Sequence, residues 1–146
     1  MSNNQKIAWD NSYRLGIKKI DQQHKKLFEL VNRLYDLEEG VNTKEELRVI
    51  LYEFSDYVKV HFQDEEAYMA SIAFPDLENH KLLHQHLVDS LNKIILTPAK
   101  LDIIKTKMRV LAKRVLIDHI LQEDTKIKLY VLQNCDEEIF DISDIE

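Results

Sequence analysis

Apolar residues recur along this chain at intervals of three and four, the spacing that gathers side chains on one face of an α-helix. A first stripe of Ile20, Leu27, Phe28, Val31, Leu34 and Tyr35 predicts a helix from Asp21 to Glu38, with His24 on the stripe and Gly40 as its stop. A second helix is expected from Lys44 to Ala70. Its stripe of Leu47, Ile50, Leu51, Phe54 and Val58 continues through His61 and Glu65 toward Tyr68 and Met69. Thr43 with Glu46 three residues on has the pattern of a capping box.

Phe74-Pro75-Asp76 interrupts the pattern and opens a third helix, whose seam is Leu77, His80, His84, Leu87, Leu91 and Ile94. Thr97-Pro98 predicts the start of a fourth, with threonine as N-cap and proline at the first helical position. Its seam is Leu101, Ile104, Met108, Leu111, Val115 and His119.

Helices of about 18 to 27 residues are roughly 27 to 40 Å long. Short links join antiparallel neighbours, so residues from about 20 to 131 are expected to form an all-α, up-down-up-down antiparallel four-helix bundle. Residues 1–19, which carry Trp9, Tyr13 and Ile17, are expected to pack along it as an ordered N-terminal arm. Residues 134–146 form an acidic tail, and 1–146 is expected to be one domain.

Composition supports this picture. The chain is 45% hydrophobic and 32% charged, as globular chains are, and has only two glycines and two prolines over 146 residues, which favours long helices. A net charge of −6 argues against nucleic acid as a partner. The run Lys100, Lys105, Lys107, Lys113 and Arg114 is expected to be a solvated helix face. Cys135 is the one cysteine, so no intrachain disulfide forms; that fits a cytoplasmic location. The N-terminus lacks the apolar core of a signal peptide, and no membrane-spanning stretch is present.

The histidines change the picture most. Five of the six lie on the inward stripes: His24, His61, His80, His84 and His119. His61 with Glu65, and His80 with His84, are four residues apart, about one turn plus 40°, so each pair shares a helix face. His24 and the His80–His84 pair come early in their helices, whereas His61, Glu65 and His119 come late. In an antiparallel bundle all of them meet at one end. Buried imidazoles and carboxylates need partners, and one shared metal centre supplies them. His86 is about 200° around the helix from His84 and is expected to face solvent.

Asp124 lies five residues after His119, about 140° past a full turn, so both face the core only if the helix ends, unwinds or bulges between them. Spacing alone favours Glu123. Seven ligands exceed one tetrahedral zinc and suit two octahedral irons bridged by carboxylates. Five neutral imidazoles with only two carboxylates favour reversible binding over oxygen activation.

At these residues the chain resembles the hemerythrin family, in its single-domain bacterial form. The matching segments are Gly16-Ile17, Ile20-Asp21 and Gln23-His24-Lys25 with Trp9 upstream, and His61-Phe62 with Glu65-Glu66 and Met69. Phe74-Pro75 with His80 and His84, and His119-Ile120 with Asp124, complete the set. The resemblance implies that Asp124 rather than Glu123 is the last ligand. It implies one iron on His80, His84 and His119, the other on His24 and His61, with Glu65, Asp124 and an oxo or hydroxo group as bridges. The two-histidine iron would be left open for dioxygen, behind a dry wall of Leu27, Phe62, Leu116 and Ile120. Where the family commonly has tryptophan, four residues before the last histidine, this chain has Val115, which predicts a thinner wall.

The expected function is therefore reversible oxygen binding, for storage, transport or delivery to an oxygen-consuming enzyme, by a monomer that is not itself an enzyme. The competing classes are an oxygen or redox sensor and a di-iron peroxidase, nitric oxide reductase or ferroxidase. No nucleophile–base pair, phosphate-binding glycine loop or CxxC motif points to other chemistry.

Overall fold

In the computed structural model, which describes residues 6–134, the stripes become four rods packed around a shared apolar core. The rods begin with α1 (Lys18–Tyr35), α2 (Thr43–Ser71) and α3 (Leu77–Leu96). The fourth is composite: α4 (Leu101–Ala112), π-helical segments Lys113–Asp118 and Ile120–Asp124, then α5 (Thr125–Asn134). Contacts run α1 to α2, α2 to α3, α3 to α4 and α4 back to α1, which closes an all-α four-helix bundle. The described residues contain no strand and no helix long and apolar enough to cross a membrane. The acidic tail from residue 135 onward, Cys135 included, lies outside the described residues.

The stripes bury as their periodicity requires. Leu27, Leu34, Phe54, Val58, Leu91, Met108 and Leu111 fall in one core cluster. A smaller cluster of Met69, Phe74, Ile127 and Val131 caps the end where α2 gives way to α3. From Lys6 onward the N-terminal arm packs on the bundle: Ile7 and Leu15 are buried, and Trp9 and Tyr13 meet Phe28 at ring separations of 5.6 Å. The Asn32 side chain binds both the amide and the carbonyl of Ile7.

Helix ends depart from the sequence reading in three places. First, α1 starts and stops three residues early. Asp21 lies inside its first turn and accepts from the amides of Leu15 and Gly16, which ties down the entering chain. Gly16 holds φ 83°, a left-handed conformation that glycine adopts without a Cβ clash. At the other end Leu37 turns into the core before Gly40 is reached.

Second, the expected capping box at Thr43 does not form. Asn42 is the N-cap residue, and the Thr43 hydroxyl donates instead to the Glu38 carbonyl at 2.8 Å, bracing the α1–α2 loop. Third, the fourth rod begins at Leu101 rather than Thr97-Pro98. Thr97 is the C-cap of α3 in an extended conformation, the one a following proline enforces. Of the basic run, Lys100, Lys107, Lys113 and Arg114 are exposed as expected, while Lys105 reaches the Leu37 carbonyl.

Candidate metal centre

All five stripe histidines and both acids meet at one end of the bundle. His24 comes from the second turn of α1, and His61 and Glu65 from the last third of α2. His80 and His84 come from the first two turns of α3, and His119 and Asp124 from the π-helical stretch. His24, His61, Glu65, His80 and Asp124 are each at most 1% exposed, and His84 and His119 are buried too. His86 faces solvent.

The unwinding demanded by the spacing of His119 and Asp124 is present. An i→i+5 bonding pattern brings residues five apart toward one face, which a regular α-helix cannot do. Through it the inward side of the fourth rod carries Leu116, His119, Ile120 and Asp124 together. Glu123, the choice on spacing alone, is only half-buried and pairs with Lys126 at 3.0 Å.

Each acid spans the cluster. Glu65 Oε1 stands 3.2 Å from His80 Nε2 and 3.0 Å from His84 Nε2, while its Oε2 stands 3.6 Å from His24 Nε2 and 3.5 Å from His61 Nε2. Asp124 Oδ1 stands 2.9 Å from His80 Nε2 and 3.2 Å from His119 Nε2, while its Oδ2 lies 3.3 Å from His24 Nε2. The donors therefore sort into a three-histidine half and a two-histidine half, with one oxygen of each acid in each half.

The residues fit a pair of metal ions on two counts. Two donors at right angles around one ion, each about 2.1 Å from it, stand about 3 Å apart. The donor edges of the three-histidine half, 2.9 to 3.2 Å, match that spacing. The other half is wider, at 3.3 to 3.6 Å. Secondly, both Glu65 oxygens, Asp124 Oδ2, His84 Nε2 and both ring nitrogens of His24 are buried with no hydrogen-bond partner among the described residues. A buried polar atom left unpaired costs about 1–3 kcal/mol, so a cluster of them points to a ligand that satisfies them together. Glu65, His80, His84, His119 and Asp124 form one group able to hold an ion, and His24, His61 and Glu65 a second.

Electrostatics agree. Burial disfavours charge on His24 and His80, but the close carboxylates of Asp124 and Glu65 outweigh it and lift these rings to about 9 and about 10. Burial and the neighbouring His24 push His61 down to about 3, so its ring is neutral. Burial would raise both acids, yet their histidine partners hold Glu65 and Asp124 below the usual carboxylate range. Without metal, two protonated rings balance two buried carboxylates.

Leu27, Phe62, Val115, Leu116 and Ile120 are all buried in the main core, none more than 5% exposed. Phe62 lies flat on His84, with ring centroids 3.7 Å apart and planes 3° from parallel. Two outer partners were not anticipated from sequence. Gln23 Oε1 stands 2.8 Å from His61 Nδ1, and Glu66 Oε2 stands 2.7 Å from His84 Nδ1. Both belong to the matching motifs, and their adjacency to His24 and Glu65 was the available signal.

A profile of the Hemerythrin HHE cation binding domain matches residues 15–130. A Bacteriohemerythrin of Clostridium acetobutylicum is 39% identical over 85 residues, 56% of this chain and 66% of that relative. One from Campylobacter jejuni subsp. jejuni is 31% identical over 112 residues, covering 76% of this chain and 84% of the relative. A Myohemerythrin of Theromyzon tessulatum is 32% identical over 120 residues, covering 82% and 89%.

Proposed function

This chain belongs to the hemerythrin family, and on that premise we propose that it binds dioxygen reversibly at a non-haem di-iron centre, for storage, transport or delivery. The observation that carries the reading is the spanning posture of Glu65 and Asp124, each with one oxygen in either half of a buried five-histidine cluster. In this reading His80, His84 and His119 would hold one iron, His24 and His61 would hold the other, and Glu65 and Asp124 would be shared between the two.

Two ferrous ions, when bound, supply the reversible two-electron chemistry that carriage of dioxygen needs. The rest falls to the protein. Five imidazoles and only two carboxylates form a ligand set of low negative charge, which stabilises highly oxidised iron weakly and so favours release over further reaction. The two-histidine half has fewer protein donors and wider edges, so an ion there would keep a coordination position for a small diatomic molecule. Leu27, Phe62, Leu116 and Ile120 keep water away, and Val115 occupies the position where the family commonly has tryptophan.

The test is anaerobic reduction of the iron-loaded protein followed by air, with iron counted per chain. The expected result is two irons and a visible charge-transfer band that appears with oxygen and vanishes on its removal. Irreversible oxidation without such a band, or steady turnover of peroxide or nitric oxide, would replace the carrier by an enzyme.

A further inference from the structure

Gln23 precedes the ligand His24 on α1, yet its side chain is buried and reaches α2. We infer that Gln23, oriented by Asp64, is a positioning residue that fixes which ring nitrogen of His61 carries the proton. The inference deepens the di-iron reading, on which its consequence for metal binding rests.

The argument is one of donors and acceptors. Gln23 Nε2 donates to Asp64 Oδ2 at 2.7 Å. An ionised carboxylate only accepts, so the amide must turn its NH₂ to Asp64 and its carbonyl to His61. Asp64 is partly exposed to water and has the Lys19 ammonium 3.5 Å from its Oδ2, so it stands there as a carboxylate that accepts. A carbonyl oxygen also only accepts. The 2.8 Å contact from His61 Nδ1 to Gln23 Oε1 therefore requires the proton on Nδ1. That leaves Nε2 bare, facing the cluster 3.5 Å from Glu65 Oε2. A bare nitrogen is the form that binds a metal.

The arrangement is asymmetric. The corresponding partner of His84 is a carboxylate, Glu66, in direct contact at 2.7 Å. His61 instead meets a neutral amide, with its carboxylate one bond further out. The two-histidine half thus depends on the direction of one amide. Removing that amide frees the proton to move to Nε2, where it faces Glu65 and blocks the lone pair.

The experiment uses the full chain and zinc as a redox-silent probe. Two-bond proton–nitrogen spectra of the metal-free protein read the His61 tautomer, with the signal assigned by its loss in His61→Gln. Chelator-driven zinc release reads each half. In the wild type the Nδ1–H form and binding of both zinc ions are expected. In Gln23→Leu the proton is expected to shift to Nε2, and one zinc to leave about 10- to 100-fold faster while the other is unchanged. The double variant Gln23→Glu with Asp64→Asn reverses the polarity of the relay. Glu accepts from His61 and Asn donates to Glu, so the wild-type tautomer and release rates should return. An unchanged tautomer in Gln23→Leu, or a double variant that behaves like it, overturns the inference. A wild type that holds no zinc but still shows the Gln23-dependent tautomer supports the relay while removing the metal reading.

Discussion

Asp124 and Glu123 are neighbours in sequence with opposite fates. Asp124 turns inward among histidines, while Glu123 pairs with Lys126 near the surface. Asp124→Ala should therefore lower the metal count per chain, and Glu123→Ala should leave it unchanged; metal analysis after loading and desalting decides between them. His24 and His80 titrate near 9 and 10 in the metal-free chain, above the unperturbed 6.5, so they are charged at neutral pH. Their contribution to metal-free stability is fully present below 6.5 and is lost as pH rises through those values. Metal needs bare nitrogens, so loading competes with these protons and is favoured by rising pH. Loading at pH 7.5 in weak buffer should release the protons of these two rings, together with any lost by a bridging water, read by an indicator dye. A release of none would show that these rings are already neutral.

At the scale of the element, the periodic stripes were legible because helix geometry is local. Each residue turns the chain by a fixed angle, so Leu87 and Leu91, or His80 and His84, could be assigned to one face without knowing the neighbours. Helix ends were less legible. Thr43 had the residue type of a cap but spent its hydroxyl on Glu38, because the loop brought that carbonyl within 2.8 Å. The C-terminus of α2 shows a related effect. Ala73 sits at φ 54°, in the left-handed region, where amides of Ala73 and Phe74 close the helix on Ala70 and Met69. An L-residue pays about 1–2 kcal/mol there, and glycine's greater unfolded-state freedom returns about half of it. Ala73→Gly should stabilise the fold by about 0.5–1 kcal/mol, raising Tm by about 1–4 °C in a thermal melt. A lower Tm would mean that the turn is not strained.

The whole molecule ties the metal to the fold, because the cluster draws on all four rods at once. Buried atoms of Glu65, Asp124, His24 and His84 have no partner among the described residues until a ligand supplies one. Stripping the metal with a chelator should lower Tm by about 5–15 °C, the shift expected for a ligand present at 100 to 1,000 times its Kd. An unchanged Tm would show that no metal was contributing. The proposed wall is likewise a property of the assembly. Val115 is already buried at 4% exposure among Leu111, Ala112 and Leu116. Val115→Trp should slow decay of the oxygenated spectrum by thickening the wall, and should cost about 1–3 kcal/mol through overpacking. Equal decay rates in the two proteins would free Val115 from any part in the wall.

Four amphipathic rods, their antiparallel order and the common depth of five histidines and Glu65 were readable along the chain, because rotation per residue and loop length are local properties of the backbone. Spacing alone favoured Glu123, and packing turned Asp124 inward instead, because a π-helical stretch forms only where neighbouring rods reward it. Only the tertiary structure decided which oxygen of each acid faces which half, and that Gln23 and Glu66 stand behind His61 and His84. Those choices are side-chain torsions and cross-helix hydrogen bonds, fixed when the rods pack and not before.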